Sequence, residues 1–230
     1  MKRLRKGRTE RRYLVTSLQE NDSLSEQYRT LRTNISFAKA GGGLKLIVVT
    51  SAEAGEGKST TASNLAAVMA QQGKRVLLID ADTRKPSQHS FFSMDNREGL
   101  TNVLTGQASF TDVVRATSLN QLFLLTSGPV PPNPADLLSA AEMVTVIEQA
   151  KEHFDRVIID SPPVLAVSDT LLLANLCDGI LFVIRSELTE TDKARKAIDL
   201  LSSVNGKLLG VVLNDKRVSR KSPYYAYKDY

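Results

Sequence analysis

Six strand-length runs of branched aliphatic residues recur along the chain, and amphipathic stretches of helical length separate most of them. Near-continuous runs of Val, Ile and Leu without polar alternation are typical of strands covered on both faces, as in the parallel sheet of an α/β sandwich. We predict strands at residues 44–50, 75–80, 121–126, 155–160, 179–184 and 207–213. The pattern therefore predicts a doubly wound, mainly parallel sheet with helices on both faces, and one such domain uses most of the 230 residues.

The segments around this repeat define the expected domain organisation. Helical spacing of apolar residues predicts an additional N-terminal helix at 24–40, and glycines 41–43 separate it from the first strand. We expect a basic arm at 1–23, a folded domain at 24–215 and a flexible, tyrosine-rich tail at 216–230, which shows no apolar periodicity. Two further helices are expected at 58–72, closed by Gly73, and at 189–204.

The net charge of +5 is unevenly distributed. Residues 1–12 carry seven basic side chains and one acid, and residues 216–230 carry five and one, so residues 13–215 hold 18 basic and 23 acidic side chains. A mildly acidic body argues against a nucleic-acid-binding core, which needs basic charge on the domain itself. The basic arm is either a solvated tail or a segment that rests on anionic lipid or an acidic partner.

Hydropathy and cysteine usage predict a cytoplasmic chain. No run approaches the roughly 18 apolar residues of a membrane span, and the N-terminus lacks the apolar segment of a signal peptide. The single cysteine, Cys177, permits neither an internal disulfide nor a paired-cysteine metal or redox site. Oxygen ligands are therefore expected for any metal ion.

The most specific motif is SAEAGEGKST at 51–60, between a predicted buried strand and a helix. It fits the phosphate-loop pattern except that Ala52 stands at the usual first glycine. In such loops the glycines bring backbone amides close to phosphate, and the following helix directs its positive end at the anion. The alternative is an ordinary glycine-rich turn. The predicted nucleotide contacts are Ala54, Gly55, Glu56, Gly57, Lys58, Ser59 and Thr60.

Two carboxylate motifs follow strands and support this site. Asp80 and Asp82 lie in LLIDADTRKP, and Asp160 ends the run VIID in VIIDSPP. The carboxyl ends of such strands form the edge where ligands of doubly wound sheets bind. Mg²⁺ takes few protein oxygens and keeps several waters, so Ser59, Asp82 and Asp160 form a sufficient metal set. Taken singly, each acid could equally be a helix cap.

These motifs, together with the tyrosine-rich end, closely resemble the bacterial tyrosine kinases of capsular and exopolysaccharide synthesis, in the short form whose membrane activator is a separate protein. The resemblance implies a P-loop NTPase-like fold, with a variant Walker motif at 80–86 and a Walker B strand at 157–160. It also matches Glu26, Arg29 and Arg32 to an ExxRxxR motif on a helix that packs into the next subunit of a ring. Spacing alone would make these charges a solvated helix face.

Two related classes fit less well. Partitioning and division-site ATPases carry a second lysine five residues before the loop lysine, where this chain has Glu53. Nitrogenase-reductase-like and scaffold ATPases hold an iron–sulfur cluster between paired cysteines, which one cysteine cannot supply. An ATPase switch of the partitioning class, without kinase activity, is the main alternative function. A regulatory module that holds nucleotide without turnover is the third.

Four of the six tyrosines fall in the last seven residues, where no core exists for their rings. Tyr224, Tyr225, Tyr227 and Tyr230 are therefore expected to be sites of autophosphorylation. Accidental low complexity and a partner-binding tail are the alternatives.

The expected activity is ATP- and Mg²⁺-dependent phosphorylation of protein tyrosines, on this tail and on other proteins. Lys58 is expected to hold the β and γ phosphates, Ser59 and Asp160 to position Mg²⁺, Asp82 to join the metal shell, and Asp80 to accept the tyrosine proton. Asn214, by family analogy, contacts adenine, or is a simple turn residue.

The resemblance further implies several partners. They are a transmembrane activator that recruits the chain to the inner face of the membrane, protein tyrosine substrates, a cognate phosphatase and, when unphosphorylated, a homo-oligomeric ring. Nucleic acid is not among them.

Overall fold

The computed structural model describes Leu14, residues 23–38 and residues 44–216. The basic arm, apart from Leu14 and Ser23, lies outside the described residues, as do the tail after Lys216 and its four tyrosines. Helices of the described part are α1 (Ser23–Phe37), α2 (Lys58–Ala70), α3 (Gln88–Phe91), α4 (Leu100–Leu104), α5 (Phe110–Val113), α6 (Pro134–Ser139), α7 (Ala141–His153), α8 (Asp169–Leu176) and α9 (Thr191–Leu201). Its strands are β1 (Leu46–Ser51), β2 (Val76–Asp80), β3 (Arg115–Ala116), β4 (Leu122–Leu125), β5 (Arg156–Asp160), β6 (Gly179–Arg185) and β7 (Leu208–Asn214).

The strands form one sheet in the order β3-β4-β2-β5-β1-β6-β7. All neighbouring pairs are parallel except β3 with β4. The prediction of a mainly parallel α/β sheet is therefore confirmed, and each of the six predicted strands is present within two residues of its expected bounds. The short antiparallel β3 was not predicted, because Arg115–Ala116 carries no apolar run.

Hydrophobic clusters cover both faces of the sheet. Every residue of β1 is buried, and alternate residues of that strand contribute to opposite clusters, Leu46 and Val48 to one and Ile47 and Val49 to the other. A strand that buries both faces has no place for polar alternation, which explains the continuous aliphatic run. Residues of α2 complete the second cluster, so the helix after the β1 loop is held firmly against the sheet.

Strand register brings the functional motifs to one edge. β1 pairs with β5 and β6, and β2 pairs with β5, so the three strands that precede the motifs are contiguous. In the β2–β5 ladder Asp80 lies directly opposite Asp160. Parallel strands end at the same edge, and ligands of such sheets bind there.

Helix α1 packs on α2, and its buried residues are Ser25, Tyr28 and Ile35. The Tyr28 hydroxyl lies beside Thr61 and Asn64 of α2, and burial raises the pKa of that phenol. The helix begins one residue before the predicted start and ends at Phe37 rather than at 40. Each helix in the part of the chain that the structure describes is too short or too polar to span a membrane.

Candidate functional site

The loop between β1 and α2 has the backbone of a phosphate cradle. Gly55 and Gly57 have φ values of +85° and +97°, in the left-handed region that favours glycine. A Cβ on Gly57 would stand 2.0 Å from Asn214 Nδ2, so this position also needs the space that glycine leaves. Ala52, at the usual first glycine, is fully buried in the core. Its methyl group packs there, which explains why the departure from the pattern does not disturb the loop.

The ends of β6 and β7 hold this loop from one side. The Asn214 amide donates to the backbone oxygen of Glu56 at 2.9 Å, and Arg185 Nη1 donates to that of Gly55 at 3.2 Å. Glu56, although charged, is only 2% exposed, and its carboxylate accepts a hydrogen bond from Thr189 Oγ1 at 2.5 Å. The Asn214 amide thus contacts the loop backbone, whereas a contact with adenine stays a prediction.

Glu53, at the place of the signature lysine of partitioning ATPases, forms an ion pair with Lys193 of α9 at 3.1 Å. A second acid, Glu190, lies at the same distance from that ammonium group. The side chain at this position is therefore directed to α9 by a surface ion pair.

Lys58 is the centre of the charged groups at the site. Its Nζ lies 2.7 Å from Asp82 Oδ2, 3.7 Å from Asp160 Oδ1 and 3.3 Å from Ser59 Oγ. Burial alone would lower the pKa of this ammonium group, but the carboxylates of Asp160 and Asp82 outweigh burial and raise it. Lys58 is therefore a fixed positive charge among the three motifs.

The two acids of the second motif differ in environment. Asp80 is fully buried, and its Oδ2 accepts hydrogen bonds from the backbone amides of Ser87 and Gln88 at 2.9 and 2.8 Å. Burial and the Asp160 carboxylate together raise the pKa of Asp80 to about 7, although the two amides act in the opposite direction. Asp82 reaches Lys58 and lines the cavity described below.

Gln88 links the motifs and was missed by sequence reasoning. Its fully buried side chain donates to Asp160 Oδ2 at 2.8 Å and to the Ser59 backbone oxygen at 3.1 Å, and it accepts from Ser63 Oγ at 2.6 Å. Asp160 is fully buried as well, and burial raises its pKa. A glutamine in a polar stretch after a motif carries no sequence signal, so only the fold reveals this contact.

A cavity of about 530 Å³ opens where the three motifs meet. The loop and Lys58 form its floor, Arg185, Asn214 and Asp215 form one side, and residues after β2 and β5 form the other. Among the predicted contacts, the lining includes Ala54, Gly55, Gly57, Lys58, Ser59, Thr60, Asp82 and Asn214. Glu56, by contrast, turns its carboxylate towards Thr189.

The residues present fit a nucleotide with Mg²⁺. One oxygen of Asp80 and one of Asp160 lack a hydrogen-bond partner although both are buried, and the ammonium group of Lys58 lies 3.7 Å from the latter. Among the described residues no group of three or more His, Cys, Asp or Glu could by itself enclose a metal ion. This agrees with Mg²⁺, which is usually held by one or two carboxylates together with waters and substrate phosphates.

The three charged residues of the ExxRxxR motif lie on α1. Arg32 Nη1 donates to the backbone oxygen of Val68 in α2 at 2.6 Å, and Arg29 forms an ion pair with Glu26 at 3.1 Å. Arg32 therefore attaches α1 to the helix that follows the phosphate loop. The role of this helix face in a ring stays a prediction.

Comparison with known proteins gives a consistent result. The model of the AAA domain family matches residues 44–207. The chain is 48% identical over 230 residues to the tyrosine-protein kinase YwqD of Bacillus subtilis (strain 168). This match covers 98% of this chain and 97% of that protein. In the solved structure of the chimerical protein CapA2B2, the TM-score is 0.86 at 38% identity, covering 89% of this chain and 90% of that one.

The kinase domain of the Escherichia coli tyrosine kinase ETK matches with a TM-score of 0.85 at 33% identity, covering 94% of this chain and 85% of that one. The residues matched by the family model contain β1 to β6, the phosphate loop and both carboxylate motifs. The chain therefore belongs to the family of bacterial tyrosine kinases of capsular and exopolysaccharide synthesis.

Proposed function

We propose that this chain transfers the γ-phosphoryl group of ATP to tyrosines of its own tail, Tyr224, Tyr225, Tyr227 and Tyr230, and of other proteins that act in capsule or exopolysaccharide synthesis. The observation that carries the proposal is the position of Lys58, whose ammonium group joins the phosphate loop to Asp82 and Asp160. Phosphoryl transfer passes through a loose transition state, so catalysis depends on alignment and charge neutralisation.

When nucleotide binds, the Lys58 ammonium group would leave the Asp82 carboxylate and contact a phosphate group instead. Its ion pair with Asp82 places the ammonium group at the end of the phosphate loop, where the β and γ phosphates of a nucleotide lie. The Ser59 hydroxyl and Asp160 would hold Mg²⁺, which neutralises phosphate charge when bound, whereas Asp82 would stay outside the metal shell. The hydrogen bond from Gln88 to Asp160 makes Gln88 a positioning residue that fixes one of these carboxylates.

A carboxylate must receive the proton of the acceptor, because a tyrosine hydroxyl with a pKa of about 10 is protonated in the cell. The sequence favours Asp80 for this role. Full burial and two backbone amides instead favour Asp80 as the group that anchors the start of α3. Asp82 lines the cavity, and its carboxylate loses its ion pair when Lys58 turns to phosphate. We therefore assign the proton to Asp82, in place of the metal role that the sequence predicted for it, and leave Mg²⁺ to Ser59 and Asp160.

Incubation of the purified chain with labelled ATP tests the proposed activity. We expect label on tyrosine, confined by mass spectrometry of the intact chain and its peptides to the segment after Lys216. Free phosphate without labelled tyrosine would instead support a partitioning-class ATPase switch, and neither product would support a binding module without turnover. A variant with all four tail tyrosines changed to Phe should lose the label but still phosphorylate an added tyrosine substrate.

We further propose that the chain assembles into a ring through α1 and that tail phosphorylation opens it. Each phosphate adds roughly −1.5 to −2 charge, which reverses the sign of a segment with five basic and one acidic side chain. An acidic tail is repelled by an acidic body and leaves the neighbouring site. A phosphatase would reset the cycle.

Substitutions in α1 separate assembly from packing. Arg29→Ala should dissociate the assembly and reduce self-phosphorylation while leaving thermal stability close to that of the parent. Arg32→Ala should also dissociate the assembly and reduce self-phosphorylation. In addition, it should lower the free energy of unfolding by about 1 kcal/mol, because it removes the hydrogen bond to Val68. Sedimentation velocity and thermal unfolding measure the two effects. An unchanged assembly in both variants would remove the ring interface from this helix face.

The CapA2B2 match supports a protein partner, since that chimera's name combines CapB with a second component. We propose a transmembrane activator that recruits this chain to the inner face of the membrane. The arm at residues 1–12, rich in Lys and Arg, would add about 1 kcal/mol of attraction per charge at an anionic surface.

A further inference from the structure

The sheet order divides the cavity into two halves. β1 and its loop lie in the middle, β6 and β7 lie on one side, and β5 and β2 lie on the other. Arg185, Asn214 and Asp215 line the half next to β6 and β7. The half next to β5 and β2 is lined by Lys85 and Phe91 after β2, and by Pro162, Pro163, Ala166 and Val167 after β5.

Lys58 indicates which end of a nucleotide lies in which half. Its ammonium group points to Asp82 after β2 and to Asp160 at the end of β5. Since this lysine contacts the β and γ phosphates in phosphate-loop proteins, the γ-phosphate lies towards β5 and β2, and the base and sugar lie towards β6 and β7. Attack in line with the leaving oxygen must come from beyond the γ-phosphate. The acceptor therefore enters through the β5–β2 half.

The chemistry of this half suits an aromatic ring. Phe91, Pro162 and Pro163 are buried and Val167 is half-buried, so they present an apolar wall, and Asp82 lies at its inner end beside Lys58. A tyrosine that buries its ring on an apolar surface usually also finds a hydrogen-bond partner for its hydroxyl group. A tyrosine can place its ring on the wall and its hydroxyl group at Asp82, whereas a serine hydroxyl has no ring to bury there.

An ion pair joins the two segments that form the wall. Arg84 Nε and Nη2 donate to the two carboxylate oxygens of Asp169 at 2.9 and 3.2 Å, and Asp169 is fully buried at the start of α8. This bidentate contact connects the residues after β2 with those after β5. The wall is therefore a built feature of the fold.

We propose that Phe91, Pro162, Pro163, Ala166 and Val167 form the subsite that holds the ring of the acceptor tyrosine, with Asp82 as the partner of its hydroxyl group. The proposal rests on the proposed kinase activity and names the part of the site that selects its substrate. It predicts that this wall contributes far more to acceptor binding than to nucleotide binding.

Two substitutions test the subsite. Ala166 is exposed, so Ala166→Trp fills the cavity without disturbing the core, and Val167→Asp places a carboxylate against the ring and the incoming phosphate. Ser168→Trp is the matched control, because Ser168 is exposed on the same loop, makes no side-chain cap bond and is not among the cavity-lining residues. The probe is a synthetic peptide of residues 217–230, added to full-length protein at a concentration at which the parent labels itself.

We expect kcat/KM for the peptide to fall at least about 10-fold in Ala166→Trp and Val167→Asp, and nucleotide affinity to fall by a much smaller factor. Ser168→Trp should match the parent. An unchanged kcat/KM, or an equal loss of nucleotide affinity, would overturn the subsite while leaving the kinase activity in place. A parent that hydrolyses ATP but never labels tyrosine would overturn both the proposed function and the subsite.

Discussion

Lys58→Met should reduce tyrosine labelling by roughly 1,000-fold or more, because the variant loses the ammonium group that bridges the phosphate loop and both carboxylate motifs. The substitution should also lower the stability of the folded protein. Asp82 and Asp160 are left with less compensating charge, and breaking a buried ion pair costs about 3–5 kcal/mol. Initial rates of labelling, with thermal and denaturant unfolding, measure both effects.

The pH dependence distinguishes loss of charge from loss of packing. The pKa of Asp160 is already raised by burial, and removal of Lys58 raises it further. An acid with a raised pKa in the folded state is penalised once it ionises, so the stability deficit of Lys58→Met should be largest at neutral pH and should shrink as pH falls towards about 4. Lys196→Met, at an exposed lysine, is the control. A deficit independent of pH would contradict the electrostatic account.

Gly57→Ala should weaken nucleotide binding by about 10- to 100-fold. The new methyl group would occupy a backbone with φ +97° and would meet Asn214 Nδ2 at 2.0 Å. Left-handed backbone costs a non-glycine residue about 1–3 kcal/mol, and displacement of Asn214 breaks its hydrogen bond to Glu56. Titration with a fluorescent ATP analogue gives the affinity.

Gly73→Ala provides the comparison for Gly57→Ala. Gly73 follows α2 with φ +79°, yet nothing lies within 4 Å of the Cβ that alanine would add. This variant should lose about 1 kcal/mol of stability from backbone strain and keep nucleotide affinity within twofold. Equal loss of affinity in both variants would mean that global destabilisation, and not the shape of the cradle, causes the defect.

The sequence was most informative where one segment determines its own structure. Continuous aliphatic runs predicted six of the seven strands that the described residues form, and the glycine spacing of the phosphate loop predicted a backbone that the structure contains. Parallel topology then required the motifs to share one edge, as Asp80 and Asp160 do. These features follow from local sequence together with general rules of sheet packing.

Contacts between distant segments were not predictable in this way. Gln88 is a polar residue in a segment without apolar periodicity. It contributes to the site through its hydrogen bond to Asp160, which lies 72 positions along the chain. The buried carboxylate of Glu56 likewise depends on Thr189, 133 positions away. Arg32 is hydrogen-bonded within its own subunit, whereas spacing alone would place it on a solvated face. Such pairings depend on three-dimensional placement that hydrophobic patterning leaves undetermined.

The attachment of α1 to α2 has a thermodynamic consequence. Tyr28 is buried beside Thr61 and Asn64 in the first two turns of α2, and Arg32 donates a hydrogen bond to the Val68 backbone oxygen near the end of that helix. The same α2 begins at Lys58. Whatever binds α1 and shifts its position on α2 therefore shifts the helix that presents Lys58 to phosphate. By linkage, nucleotide must alter the affinity of that contact by the same factor with which the contact alters nucleotide affinity. If the ring that we propose assembles through α1, its assembly and ATP binding are therefore thermodynamically coupled.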